Sequence, residues 1–153
     1  MNFTDPYSLA HRSGVTTAVS SPLGDRLFGG LSFAFTTAAE QPLAPHAILN
    51  PATALHLNFD TGKSSTSTKI AIIRRLLQGE LDHSNEITRA MKKVADGELR
   101  IVVEVSKADI IAALIRLKRE VAPKMKITLL GAHESWMVGP NSSPSLDHSK
   151  TRR

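Results

Sequence analysis

The sequence predicts an α/β fold: a partial (β/α) barrel-like parallel sheet with flanking helices, an incomplete version of the eight-stranded barrel. Three observations predict it. Leu99 to Val105 and Lys126 to Leu130 are short, apolar and rich in β-branched residues, as buried strands are. Between them, Ala108 to Val121 sets Ile110, Ile111, Leu114, Ile115, Leu117 and Val121 in one broad apolar stripe at helical spacing. A strand, a helix of about four turns and a second strand make a right-handed βαβ unit with parallel strands. Parallel strands need both faces covered, so the remaining helices are expected to pack around this sheet.

The elements follow in order. Gly14-Val15-Thr16-Thr17-Ala18-Val19 is β-branched and bounded by turn residues, and reads as a short strand. Leu23 to Ala39 holds Gly24, Gly29 and Gly30 and reads as a loop. Ala47 to Leu57 is apolar but broken by Asn50-Pro51, which suggests two short strands around a turn. Asp60 to Thr68 is a polar Gly/Ser/Thr loop. Lys69 to Gln78 places Ile70, Ile73 and Leu77 on one helical face. Asn85 to Asp96 places Ile87, Met91 and Val94 likewise, with Ser84 as N-cap and Gly97 just past the end, where glycine takes the left-handed conformation without strain. Ser106 and Asp109 have capping-box spacing ahead of the third helix, and Pro123 ends it. The domain plan is a lead-in at 1–13, an α/β domain at 14–139 and a disordered basic tail at 140–153, whose one apolar residue, Leu146, cannot offset ordering entropy.

Composition narrows the function classes. Apolar residues make up 41% and charged residues 22% of 153, an ordinary globular balance. Cysteine is absent, which excludes disulfides and thiolate chemistry. No apolar run approaches the roughly 20 residues of a membrane span, and Met1 to Arg12 lacks a secretory pattern, so the expected compartment is cytoplasmic. Of the net charge of +5, the tail supplies a share through Lys150, Arg152 and Arg153 against Asp147. The rest is a weak footprint for nucleic acid, which calls for a concentrated basic stripe. Arg116, Lys118 and Arg119, and Lys92-Lys93, read as solvated helix faces.

The strand ending at Val105 hands over abruptly to a helix, and such turns are where α/β enzymes gather their chemistry. Ser106 and Lys107 stand there. Ser106 has no base near it in sequence, and a catalytic serine needs one, so capping is its expected role. Gly62-Lys63-Ser64 hints at a phosphate loop, but the pattern requires a glycine where Leu57 stands. None of His11, His46, His56, His83, His133 and His148 pair at metal-site spacing. His133 follows a strand end and is the histidine best placed to meet a ligand. Glu134 and Asp109 also follow strand ends, where they suit a helix N-terminus. Trp136 is expected to anchor the last short helix in the core.

Several segments together carry a resemblance. Gly14-Val15-Thr16-Thr17-Ala18, Gly29-Gly30-Leu31-Ser32-Phe33-Ala34-Phe35, Ala54-Leu55-His56-Leu57, Ile73-Arg74-Arg75-Leu76-Leu77, Ala108-Asp109-Ile110-Ile111-Ala112-Ala113-Leu114 and Gly131-Ala132-His133-Glu134-Ser135-Trp136 resemble the amidohydrolase superfamily. The likeness is greatest to its fungal members related to imidazolonepropionases and sugar deacetylases. It implies a metal-dependent (β/α)8 barrel that hydrolyses C–N or similar bonds with metal-activated water. It also implies a His-x-His pair ahead of Gly14, histidines after Val105 and near Leu130 or Gly131, and a late aspartate. The sequence departs at each described position: only Met1 to Ser13 precedes Gly14, Ser106 follows Val105, and His133 is displaced.

A catalytic zinc normally takes three protein ligands, and three are not assembled here. The reading is therefore a truncated, ligand-poor amidohydrolase-like fragment. It is expected to be inactive by itself, with no catalytic, cofactor or metal residues assigned and no cofactor expected in this chain, although the parent family uses zinc or another divalent metal. A barrel of this kind takes about 250 residues, so uncovered sheet edges and self-association are expected. Two other readings stand beside it: a non-catalytic binding or regulatory module using the crevice past Val105 and Leu130, and a weak nucleic-acid binder using the basic helix and tail.

Overall fold

The computed structural model describes residues 6–22, 24–39, 44, 46–80 and 85–139. The expected tail at 140–153, and with it His148, lies outside the described residues, as do His83 and Ser84. The elements run α1 (Pro6–Arg12), β1 (Thr17–Ser20), β2 (Phe28–Thr36), β3 (Ile48–Asn58), α2 (Thr66–Leu77), α3 (Glu86–Ala95), β4 (Arg100–Val105), α4 (Ala108–Val121) and β5 (Lys126–Gly131), followed by a short 3-10 helix, η1 (Ser135–Met137). Five strands form one sheet in the order β1-β2-β3-β4-β5, curled as a half barrel.

The α/β expectation holds, with two corrections. The sheet is mixed rather than parallel: β1, β2 and β3 pair antiparallel, and only β3-β4-β5 are parallel. The helices also cover one face of the parallel strands instead of both. Leu55 and Leu57 of β3, with Ile101, Val103 and Val105 of β4, enter the core cluster alongside Ile73 and Leu76 of α2, Met91 and Val94 of α3, and Ile111 and Leu114 of α4. The intervening β4 residues Arg100 and Glu104 are exposed on the other side. Side chains alternate across a strand, so β4 spells its two environments directly in Arg-Ile-Val-Val-Glu-Val.

Glycines mislead at β2. The segment Leu23 to Ala39, expected to be a loop, contains a nine-residue strand. It is held by β1 on one side and β3 on the other, and its irregular registers bracket Gly29, where a glycine suits a bulge. Asn50-Pro51 does not split β3, which runs unbroken for 11 residues. Pro51 lacks an N–H, yet it costs little there: the β2–β3 register is irregular beside it, and the β4 ladder begins only at Ala54.

Caps explain the helix bounds. α2 begins three residues earlier than Lys69, because Ser65 accepts from the Thr68 N–H as N-cap. In α3 the cap is Asn85, through Oδ1 to the Ile87 N–H, and not Ser84. Gly97 does follow α3 at φ +79, and a Cβ there would lie 2.7 Å from the Lys124 carbonyl oxygen. The lead-in, assigned no element from the sequence, contains α1. Its Tyr7 ring meets Phe35 edge-on at 5.3 Å. No helix among the described residues is long and apolar enough to cross a membrane.

Candidate functional site

Parallel strands deliver their C-terminal ends to one side of the sheet. Here those ends are Asn58, Val105 and Gly131, and backbone bonds stitch the turns beyond them together. The Phe59 N–H donates to the Glu104 carbonyl, the Ala132 N–H to Val105 and the Glu134 N–H to Ser106. Gly131 at φ +81 and Ala132 at φ +43 make the sharp exit from β5 that this stitching requires.

Ser106 is not a capping residue. Its hydroxyl donates to Asp60 Oδ2 at 2.6 Å and its N–H to Asp60 Oδ1 at 3.2 Å, so the serine binds the β3–α2 turn. Lys107 becomes the N-cap of α4 and makes no side-chain cap bond. Glu134 takes over instead: its carboxylate accepts from the Ala108 N–H at 2.9 Å, where the helix dipole favours an anion. Asp109 turns to the neighbouring Ile110 N–H. His133 is exposed, and Trp136 is 77% exposed rather than core, a second correction at this end of the chain. Gly62 sits at φ +85 in the turn before α2, with its Cβ position 3.4 Å from the Asp25 carbonyl; this is turn geometry.

Lys69 stabilises the Asp60 turn from beneath. It is 4% exposed, and its ammonium donates to the carbonyls of Phe59 at 2.8 Å and Thr61 at 2.5 Å. A buried cation is costly unless bonded, so these two carbonyls are held in place by it.

On the open face, a crevice of about 280 Å3 lies against these strand ends. Ser21, His56, Asn58 and Glu104 supply its polar groups, and Val102 and Leu130 part of its apolar wall. His56 Nδ1 lies 3.1 Å from Ser21 Oγ. Burial holds the His56 imidazole below its usual range, so the ring is neutral at neutral pH. Asn58 Nδ2 donates to Glu104 Oε2 at 2.7 Å, while Asn58 Oδ1 accepts from the N–H groups of Asp60 and Thr61. Sequence reasoning missed these four as a group, since Ser21 and His56 stand 35 residues apart and Asn58 and Glu104 46 apart. A larger open groove of about 570 Å3 runs along α3 beside Pro51 and Ala52, at the opposite end of β3 from the strand ends.

The zinc implied by the resemblance does not fit these residues. Among the described residues, no group of three or more His, Cys, Asp or Glu is placed to hold a metal ion. At the β4 end the serine is already bonded to Asp60, and at the β5 end Gly131 offers no side chain. His56, the one histidine in the crevice, bonds Ser21.

No protein-family model matches the chain, and no curated protein matches it in sequence. Among solved structures, the crystal structure of an amidohydrolase from Thermotoga maritima MSB8 is similar, with a TM-score of 0.64 at 15% sequence identity. The match covers 88% of this chain and 41% of that one, so this chain spans about two fifths of that protein's length. A likeness at this identity is one of fold.

Proposed function

We propose that the chain is an amidohydrolase-like half barrel whose strand-end crevice binds a small ligand and which, by itself, does not carry out metal-assisted hydrolysis. The observation that carries this reading is Ser106, bonded twice to Asp60 at the position where the resemblance calls for a metal-binding histidine. A serine committed to a structural carboxylate is a poor zinc ligand, and a metal-activated water needs the metal. The fold of the Thermotoga amidohydrolase supports the descent, and ligand binding at C-terminal strand ends is the general habit of α/β sheets.

The test is to load the purified chain with zinc, remove excess metal, and measure bound zinc by elemental analysis alongside hydrolysis of amide and lactam substrates. The expected result is substoichiometric zinc and no turnover above buffer. Stoichiometric zinc with turnover overturns the reading. β5 ends the sheet among the described residues, which supports self-association at that edge. A sedimentation coefficient that rises with protein concentration checks this.

A further inference from the structure

The crevice has a definite electrostatic character. Of its lining residues, Glu104 alone carries a formal charge at neutral pH, given the neutral His56 ring. No lysine or arginine among the described residues forms an ion pair with Glu104. Its carboxylate is nonetheless held in place. One oxygen accepts from Asn58, and Asn58 is itself fixed by the two N–H groups of the turn that Lys69 secures. The second oxygen has no hydrogen-bond partner among the described residues. Beside it stand the Val102 and Leu130 side chains, the latter 51% exposed, and the Pro22 ring. The cavity, about 280 Å3, is just below the usual size of ligand pockets, which run roughly 300–1,000 Å3, and so suits a small ligand.

We propose that this crevice takes a short-chain alkylammonium ion, with its charged head on Glu104 and its hydrocarbon stem against Val102, Leu130 and Pro22. The proposal rests on the reading of the crevice as a ligand site and names the ligand class. Each alternative class meets a specific obstacle. An anion would face the carboxylate with no cation in the lining to offset it. A neutral alcohol would gain the apolar wall but leave the charge unpaired. An ammonium has donors for the free carboxylate oxygen, and its stem covers the exposed apolar wall.

The experiment is an amide-resolved NMR titration of the isotope-labelled chain at fixed ionic strength. The probes are n-butylammonium chloride, n-butanol and sodium butyrate, applied to the wild type and to Glu104→Gln. This variant keeps an oxygen for Asn58 and alters an exposed side chain, and the dispersion of its amide spectrum verifies that it is folded. The expected result is saturable shifts at Gly29, the Asn58 side-chain amide and Leu130 with butylammonium, about fivefold or more weaker with butanol. Butyrate should leave these signals unmoved, and Glu104→Gln should reduce butylammonium to the butanol level. If butanol or butyrate binds as tightly as butylammonium, or if Glu104→Gln changes nothing, the ammonium assignment is overturned while the crevice stands as a ligand site. If no probe moves the crevice signals, both are overturned.

Discussion

The two faces of β4 behave as different materials. Toward the helices, Ile101, Val103 and Val105 are 2%, 1% and 0% exposed and touch α2–α4 residues of one core cluster. Toward the open side, Arg100, Val102 and Glu104 make polar bonds or line the crevice. The first face holds the fold together, since each fully buried aliphatic side chain contributes roughly 1.5–3 kcal/mol. The second is free of that duty, and so a charge can stand there at low cost, beside His56 of β3. A strand in a parallel sheet would ordinarily be apolar on both sides; this one is apolar on one side only.

That contrast breaks most readily with a matched pair of truncations. Ile101→Ala should cost about 2–5 kcal/mol, the range for deleting a buried aliphatic side chain. Val102→Ala, one residue away on the half-buried open face, should cost about 1 kcal/mol or less. Urea unfolding midpoints compare them directly, and equal losses would mean that the open face is packed after all.

Lys69 tests the layer between the faces. Lys69→Met keeps the hydrocarbon stem and removes both bonds to the Phe59 and Thr61 carbonyls. Leaving such acceptors unsatisfied should cost about 1–3 kcal/mol. The variant should also loosen the turn that positions Asn58 and Asp60, seen as faster amide exchange at Asp60 and Thr61. Stability lost without faster exchange there would make Lys69 a packing residue only.

Ser106→Ala is smaller. It deletes the hydroxyl bond to Asp60 but keeps the backbone N–H bond to the same carboxylate, so about 0.5–1.5 kcal/mol should be lost by the same urea assay. A neutral outcome would remove the reason for calling the serine structural.

The covered face was the legible one. The stripe of α4 and the proline after it placed that helix at its observed bounds, because a helix packed on a core must repeat its apolar residues at a fixed period. β4 was placed by its alternating apolar run, whose every second residue is buried, and β5 by its β-branched and apolar composition, although it is at most half-buried. What escaped were elements held by partners distant in sequence. β2 survives its glycines because neighbouring strands supply its hydrogen bonds. Ser106 abandons the capping role its spacing suits because Asp60 arrives from another turn, and Glu134 takes the helix end from beyond β5. The crevice was illegible for this reason too: its hydrogen-bonded pairs form only once β1, β3 and β4 are assembled. Its one local trace was the placing of Arg100 and Glu104 on one face of an otherwise apolar strand.

The smallest effect concerns His56, and its sign follows from burial. The folded ring has its pKa lowered from the ordinary 6.5 by desolvation. As pH falls through 6.5, the unfolded chain therefore takes up a proton before the folded chain does. The unfolded state binds more protons in that window, so stability is fully present above it and declines as pH drops toward the folded value. His56→Gln should flatten this part of the profile and leave stability near neutrality almost unchanged, because glutamine does not titrate and the ring is only partly buried. Unfolding midpoints of both proteins at about pH 7.5 and about pH 5.5 provide the comparison. A wild type that loses no more stability than the variant between those conditions would place His56 in water, and the open face would then lack a desolvated group that distinguishes it from ordinary surface.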